Sequence, residues 1–223
     1  MPLRMAIVPV TAFRQNCTVL FDPDSRRAMV VDPGGEPGRI IEMLLAQGLT
    51  VERILLTHGH LDHAGGAAGL REVLDSSYKA AGRPGVEIWG PDEADRFLLQ
   101  SIEQQQERFG LQGLVNVLPD RWLQEGDVVP FGDWKFEAFH CPGHTPGSLV
   151  YVERGERLAF VGDVLFRGSI GRSDFAYGDG AALVAAIKEK LFPLGDDIRF
   201  IPGHGEGSTF GEERATNPFL QGV

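Results

Sequence analysis

The stretch Thr57-His58-Gly59-His60-Leu61-Asp62-His63 sets three imidazoles and a carboxylate within six residues, directly after the apolar run Ile54-Leu55-Leu56. These groups stand where a buried strand ends and a loop begins. Neutral imidazole nitrogen suits zinc, iron and manganese, and a carboxylate adds hard oxygen and negative charge, so the chemistry written here is metal binding. One ion can hardly use all four groups. His58 and His60, two apart, can turn toward one centre from an extended or looped backbone, whereas Asp62 and His63 are neighbours aimed elsewhere by the turn into the next helix. The spacing predicts two adjacent ions.

Three more potential ligands close apolar runs beside glycine: His144 after Phe139-His140-Cys141-Pro142-Gly143, Asp163 after Leu158-Ala159-Phe160-Val161-Gly162, and His204 after Phe200-Ile201-Pro202-Gly203. Glycine admits positive φ and lets the backbone turn closely around an ion. If these strand ends share one edge, seven ligands meet: His58, His60, Asp62, His63, His144, Asp163 and His204. The remaining histidine, His140, alternates with Trp134, Phe136 and Ala138, and is read as packed or hydrogen-bonded rather than ligating. Cys17 and Cys141 are read as small buried hydrophobes.

The elements that must position these groups follow from periodicity. Met5 to Val10, Cys17 to Asp22 and Ala28 to Asp32 read as an antiparallel meander, stopped by Pro33-Gly34-Gly35. Ile40, Ile41, Leu44 and Leu45 share a helical face between Pro37 and Gly48. Val51 to Thr57 is a buried strand that delivers the histidine cluster, and Gly65-Gly66 to Leu74 a small-residue helix. Ser76 to Gly85 reads as a polar connection, Val86 to Trp89 as a short strand. Pro91-Asp92-Glu93 opens one long helix to about Arg108, with Phe97, Leu98 and Ile102 on its apolar side. Strands are expected at Val128 to Phe131, Trp134 to Phe139, Ser148 to Glu153 and Arg157 to Val161. A last helix lies near Ala181 to Leu191, and Ile198 to Ile201 is the closing strand. Two βαβα-like halves in one domain over residues 1–223 predict an α/β fold, a four-layer αββα sandwich.

Composition narrows the function classes. With 43% hydrophobic and 23% charged residues the chain is ordinarily globular, and 21 basic against 31 acidic residues give a net charge of -10. That balance disfavours a general nucleic-acid binder, which needs a basic surface to displace counterions. Two cysteines are too few for a disulfide scaffold. The N-terminal stretch carries Arg4 in its middle and no long apolar run, so neither a signal peptide nor a membrane span is expected and a cytoplasmic protein is.

Thr57 to His63, Pro142-Gly143-His144-Thr145-Pro146-Gly147, Gly162-Asp163 and Pro202-Gly203-His204 resemble the successive motifs of the metallo-β-lactamase superfamily. Within it the chain is similar to the glyoxalase II hydrolases (hydroxyacylglutathione hydrolases), most closely the compact single-domain bacterial YcbL-type proteins. Gly171-Arg172-Ser173-Asp174-Phe175 and Asn217-Pro218-Phe219-Leu220 belong to the same resemblance, which covers nearly the whole chain. It implies His58, His60 and His144 on one metal, Asp62, His63 and His204 on the other, and Asp163 bridging. Asp62 and Asp163 are then the catalytic carboxylates, and zinc is the expected pair of ions, with iron or manganese as alternatives.

The activity so implied is hydrolysis of S-D-lactoylglutathione or a related acylglutathione by a metal-bridged hydroxide, with a thiolate that leaves readily. Arg167, Arg172, Phe175 and Tyr177, close in sequence to Asp163, are the expected substrate-side residues, although Arg172 and Asp174 can equally pin a loop as an ion pair. Larger glyoxalase II enzymes add a C-terminal helical domain with glutathione-binding residues, and none is expected within these 223 residues. The chief rival is the persulfide dioxygenase group, which resembles this chain in the same motifs and holds one iron on groups matching His58, His144 and Asp163, a facial triad for oxygen chemistry acting on glutathione persulfide. A non-catalytic metal-binding protein is the third reading. A β-lactamase proper is disfavoured because subclasses that use a cysteine ligand have it where Asp163 stands.

Overall fold

A computed structural model describes residues 3–221, so the two outermost positions at each end of the expected 1–223 domain lie outside the described residues. The chain forms two compact units, one running to Gly90 and adding Arg96–Trp122, the other made of Pro91–Asp95 and the chain from Leu123 onward. Each unit has its own sheet, and each delivers functional side chains from one edge of it.

In the first unit, β1 (Arg4–Val10), β2 (Gln15–Phe21) and β3 (Arg27–Val31) pair antiparallel, as the meander predicted. Helix α1 (Pro37–Ala46) begins with a proline whose missing N–H costs nothing in the first turn, and buries Ile40 and Leu44. It returns the chain so that β4 (Thr50–Leu55) runs parallel to β3, and β5 (Glu87–Trp89) runs parallel to β4. A single turn, α2 (Leu61–Ala64), precedes α3 (Ala67–Ala80), which is longer than predicted. The polar stretch from Ser76 stays helical through Ala80, and the Tyr78 hydroxyl accepts the Val51 N–H at 2.6 Å, pinning the last turn to β4.

The long helix predicted from Pro91 is instead broken. A 3-10 turn at Glu93–Asp95 leads into α4 (Arg96–Leu99), and α5 (Ile102–Phe109) starts afresh after Ser101. The Ser101 hydroxyl donates to the Phe97 carbonyl at 2.8 Å, the local competition that makes serine a poor helix interior residue. Leu98, Leu99 and Ile102 are buried, but Phe97, expected to face inward, is exposed.

The second unit begins with β6 (Val128–Phe131), β7 (Trp134–His140), β8 (Leu149–Glu153) and β9 (Leu158–Gly162), an antiparallel run. A small hairpin of β10 (Leu165–Phe166) and β11 (Ser169–Ile170) was not foreseen. Helix α6 (Gly180–Ala186) passes into a π turn over Ile187–Leu191, burying Leu183, Ile187 and Leu191 on the sheet. Then β12 (Arg199–Pro202) pairs parallel with β9. It is not the last element: β13 (Ser208–Thr209) and α7 (Phe210–Thr216) follow, the Thr209 hydroxyl capping the helix by accepting from the Glu212 N–H at 3.1 Å.

Strand directions decide where the loops go. In the first unit the ends of β3 and β4 and the β1–β2 turn leave from one sheet edge, because β3 and β4 are parallel and β2 is antiparallel to β3. In the second, the ends of β9 and β12 and the β7–β8 loop share an edge for the same reason. No helix among the described residues is long and apolar enough to cross a membrane.

Candidate metal centre

In the first unit the four clustered ligands leave the end of β4. His58 and His63 are buried, and His60 and Asp62 are partly exposed. The organising group is one the motif does not contain. Asp32, 2% exposed and with φ 50°, follows β3, and its Oδ1 accepts the Thr57 N–H at 2.7 Å. Its Oδ2 takes the Thr57 hydroxyl at 2.6 Å and lies 2.9 Å from His63 Nδ1. Because the single Thr57 hydroxyl proton goes to Asp32, His58 Nδ1 at 3.0 Å must donate to that hydroxyl oxygen. Both imidazoles are thereby held as Nδ1–H tautomers with Nε2 carrying the lone pair, the arrangement that metal-ligating histidines use.

The spacing of the nitrogens supports a metal. His58 Nε2 and His60 Nδ1 are 3.1 Å apart. Two nitrogens bound to zinc at about 2.0–2.1 Å with a tetrahedral angle lie about 3.3–3.4 Å apart, so this pair is close to one edge of such a site. Backbone contact allows the loop to sit where it does: a Cβ on Gly34 would fall 1.4 Å from the Asp62 carbonyl oxygen. Only glycine fits there.

In the second unit His144, Asp163 and His204 do come together. His144 Nε2 and His204 Nε2 stand 3.5 and 3.7 Å from the same Asp163 oxygen, Oδ2. Those separations are too long for hydrogen bonds and match ligand-to-ligand edges of a coordination shell. His144 Nδ1 donates to the Arg172 carbonyl at 2.8 Å, which leaves its Nε2 as the acceptor nitrogen. The loop carrying His144 is clamped by buried Asp95, which accepts the Thr145 hydroxyl at 2.7 Å and the Gly147 N–H at 2.6 Å. Gly143 and Gly162 adopt the positive φ expected of glycines beside ligands.

His140 is not part of this group. Its Nε2 pairs with the Pro146 carbonyl at 2.7 Å, the hydrogen-bonded role expected of it. Cys17 and Cys141 are buried and unbridged, and burial pushes the Cys141 thiol up to about 12 and Cys17 well above its ordinary value, so neither is a thiolate nucleophile.

The four expected substrate-side residues divide. The Phe175 ring lies edge-on to His144 with centroids 5.7 Å apart, and Tyr177 stacks on Phe175 at 5.1 Å. Arg172 covers Phe175 at 4.0 Å while its guanidinium pairs with Asp174 at 2.7 Å, so it both pins the loop and caps the aromatic wall. Burial first, and then the nearby Asp95 charge, raises the Tyr177 phenol. Arg167 lies apart from that wall, exposed on the β10–β11 turn and ion-paired with Glu206. That turn is fixed by the buried Glu213, which accepts the Gly168 N–H at 2.8 Å, the Ser208 hydroxyl at 2.6 Å and the Asn217 amide at 2.8 Å.

Asp32 yields a first prediction. Asparagine tolerates its left-handed backbone, but three donors converge on this side chain and an amide offers only one acceptor oxygen. Asp32→Asn should therefore release one imidazole tautomer and weaken metal affinity about 10- to 100-fold, read by chelator competition, with the circular dichroism spectrum retained. Unchanged affinity would remove Asp32 from its orienting role.

The family described as the metallo-beta-lactamase superfamily matches residues 10–204. Hydroxyacylglutathione hydrolase GloC of Haemophilus influenzae is 46% identical over 98% of this chain and 98% of its own. The human mitochondrial persulfide dioxygenase ETHE1 is 31% identical over 98% of this chain and 75% of its own. Among solved structures, BLEG-1, described as a B3 metallo-beta-lactamase, superposes with a TM-score of 0.85 at 32% identity, covering 98% of this chain and all of that one. TTHA1623 in a di-iron-bound form superposes with a TM-score of 0.83 at 34% identity, covering 96% of this chain and all of that one.

Proposed function

The chain belongs to the metallo-β-lactamase superfamily and is a metallo-hydrolase with that α/β fold, and on this premise we propose that it hydrolyses a thioester, S-D-lactoylglutathione or a related acylglutathione. The observation that carries the substrate class is the full-length likeness to the Haemophilus hydrolase. In this reading His58, His60 and His144 would hold one divalent ion, Asp62, His63 and His204 would hold a second, and Asp163 would serve both. The donor set of imidazoles and carboxylates fits zinc and also ferrous iron or manganese, and zinc is our assignment. Bound, the pair supplies a hydroxide nucleophile near neutral pH and polarises the thioester carbonyl.

The chain's own residues do the rest. Asp32 and Thr57 keep His58 and His63 in one tautomer, Asp95 keeps the His144 loop in place, and Asp163 presents one oxygen to two histidines. Phe175 and Tyr177, capped by Arg172, form an apolar wall beside His144 that receives the acyl group and excludes water, whereas Arg167, exposed and paired with Glu206, is left without a part in that wall. A thiolate needs no proton in order to leave, so no strong general acid is required of Tyr177, whose raised phenol stays neutral. We also assign the chain to the cytoplasm, a compartment in which its two free thiols stay reduced.

The dioxygenase reading is kept because of the likeness to the human enzyme. Protein reconstituted separately with zinc and with ferrous iron, offered lactoylglutathione and glutathione persulfide, distinguishes the two. We expect thioester hydrolysis with zinc and no stoichiometric oxygen uptake with either metal. Rapid oxygen consumption by the iron form, with no hydrolysis by either form, would replace the hydrolase with the dioxygenase.

A further inference from the structure

The first unit holds a cavity of about 360 Å³ that the metal chemistry does not use, within the range of small-ligand sites. Its floor is apolar, made by Leu111 and Leu114, and its rim carries Thr11, Glu36, Arg39 and Gln112. The rim is built rather than incidental. Thr11 and Glu36 both adopt positive φ, 62° and 48°, and the Thr11 N–H donates to Glu36 Oε2 at 2.7 Å, locking the β1–β2 turn to the start of α1. Left-handed backbone at a β-branched residue is costly and persists where surrounding structure fixes it. Arg39 Nη1 lies 3.4 Å from that same Glu36 oxygen, and both side chains are about half exposed.

Its position relates it to the metal loop. The β1–β2 turn and the end of β3 stand at the sheet edge from which β4 delivers His58. Gly35, in the cavity wall, follows Gly34, which abuts the Asp62 carbonyl. Leu114, in the floor, packs on Gly65, two residues beyond His63, and the Val115 N–H donates to the Gly65 carbonyl at 3.0 Å. The cavity therefore borders the segment that carries Asp62 and His63, through Gly34 on one side and Gly65 on the other.

A carboxylate and a guanidinium side by side at the rim of an apolar pocket complement a group that carries both charges. We propose that this cavity binds the zwitterionic α-amino-acid end of the substrate's carrier, the γ-glutamyl group of glutathione, with Arg39 taking its carboxylate and Glu36 its ammonium. Among the described residues Arg39 donates only through Nη1, to Glu36, so Nη2 and Nε are available to form the fork that guanidinium offers a carboxylate. Gln112 supplies a further amide at the rim, and Leu111 and Leu114 cover the methylenes of the glutamyl chain. The inference rests on the proposed acylglutathione substrate and adds how the carrier is recognised.

The test uses the zinc-loaded protein and two ligand series. S-methylglutathione and S-methyl-N-acetylcysteinylglycine, in which an acetyl group replaces the γ-glutamyl group and keeps the thioester from migrating to a free amine, are titrated calorimetrically, and the corresponding D-lactoyl thioesters are assayed. Wild type should bind S-methylglutathione at least tenfold more tightly than the truncated ligand, and the thioesters should differ similarly in kcat/KM. Arg39→Ala and Glu36→Gln should each reduce that preference about tenfold or more. Equal loss on both ligands, no binding of either, or an undiminished preference in both variants would overturn the assignment. Discriminating binding without thioester turnover would leave the cavity assigned and remove the hydrolase reading. Turnover of both thioesters without discrimination would do the reverse.

Discussion

Asp163→Ala is expected to abolish thioester hydrolysis, by about 10³-fold or more in kcat, and to bring metal content from two ions per chain to one or fewer. The carboxylate closes β9, and its Oδ2 is approached by His144 and His204 at 3.5 and 3.7 Å. A shared anion between two dications does two things at once. It supplies a ligand to each, and it offsets a repulsion that is four times that of two unit charges at the same separation. Alanine removes both effects and leaves the two histidines with no acceptor between them. Metal analysis of the purified variant beside steady-state rates reads the result. A variant that keeps two ions and near-native turnover would take Asp163 out of the bridging position.

The side chains that gather in each unit were legible in the sequence because of where they stand. His58, His144, Asp163 and His204 each follow an apolar run, and the strand directions explain why such ends gather at sheet edges. What was not legible are the carboxylates that hold those histidines and their loops in place. Asp32 looks like a turn residue before Pro33-Gly34-Gly35, yet it acts on Thr57 and His63, 25 and 31 residues away. Asp95 looks like an acidic residue in the first turn of a helix, and its partners Thr145 and Gly147 lie 50 and 52 positions on. Both are visible only once the chain has folded, because nothing local in the sequence requires them. The same limit explains the broken helix after Leu99. Hydrophobic periodicity runs through Leu98 and Ile102, but the Asp95 side chain is engaged elsewhere and Ser101 competes for the helical carbonyls. Glu213 escaped for another reason: the strand at Arg199–Pro202 satisfied the expected topology, and the helix that carries it lies beyond that strand.

The proposed second metal subsite separates hydrolase from dioxygenase, and Asp62→Ala is the cleaner of its two variants. His204 stands 3.7 Å from Asp163, so His204→Ala also alters the surroundings of the bridging carboxylate. Asp62 is partly exposed on the first turn of α2, and it is its backbone carbonyl that abuts Gly34, a contact that alanine keeps. A dinuclear hydrolase loses its second ion with either variant and retains one on His58, His60 and His144. Hydrolysis should then fall by about 10³-fold, because both the shared nucleophile and half of the charge stabilisation depend on that ion. A mononuclear iron enzyme built on His58, His144 and Asp163 would feel the change only through the orientation of neighbouring groups, a loss of about 10- to 100-fold. Metal stoichiometry and both activities are measured on each variant. One ion remaining, hydrolysis nearly gone and no oxygen uptake from glutathione persulfide at any stage is the expected pattern. An iron-loaded Asp62→Ala protein that keeps a tenth of a rapid oxygen uptake, beside a wild type that never hydrolyses the thioester, would mean that the Asp62, His63 and His204 subsite is not where the chemistry happens.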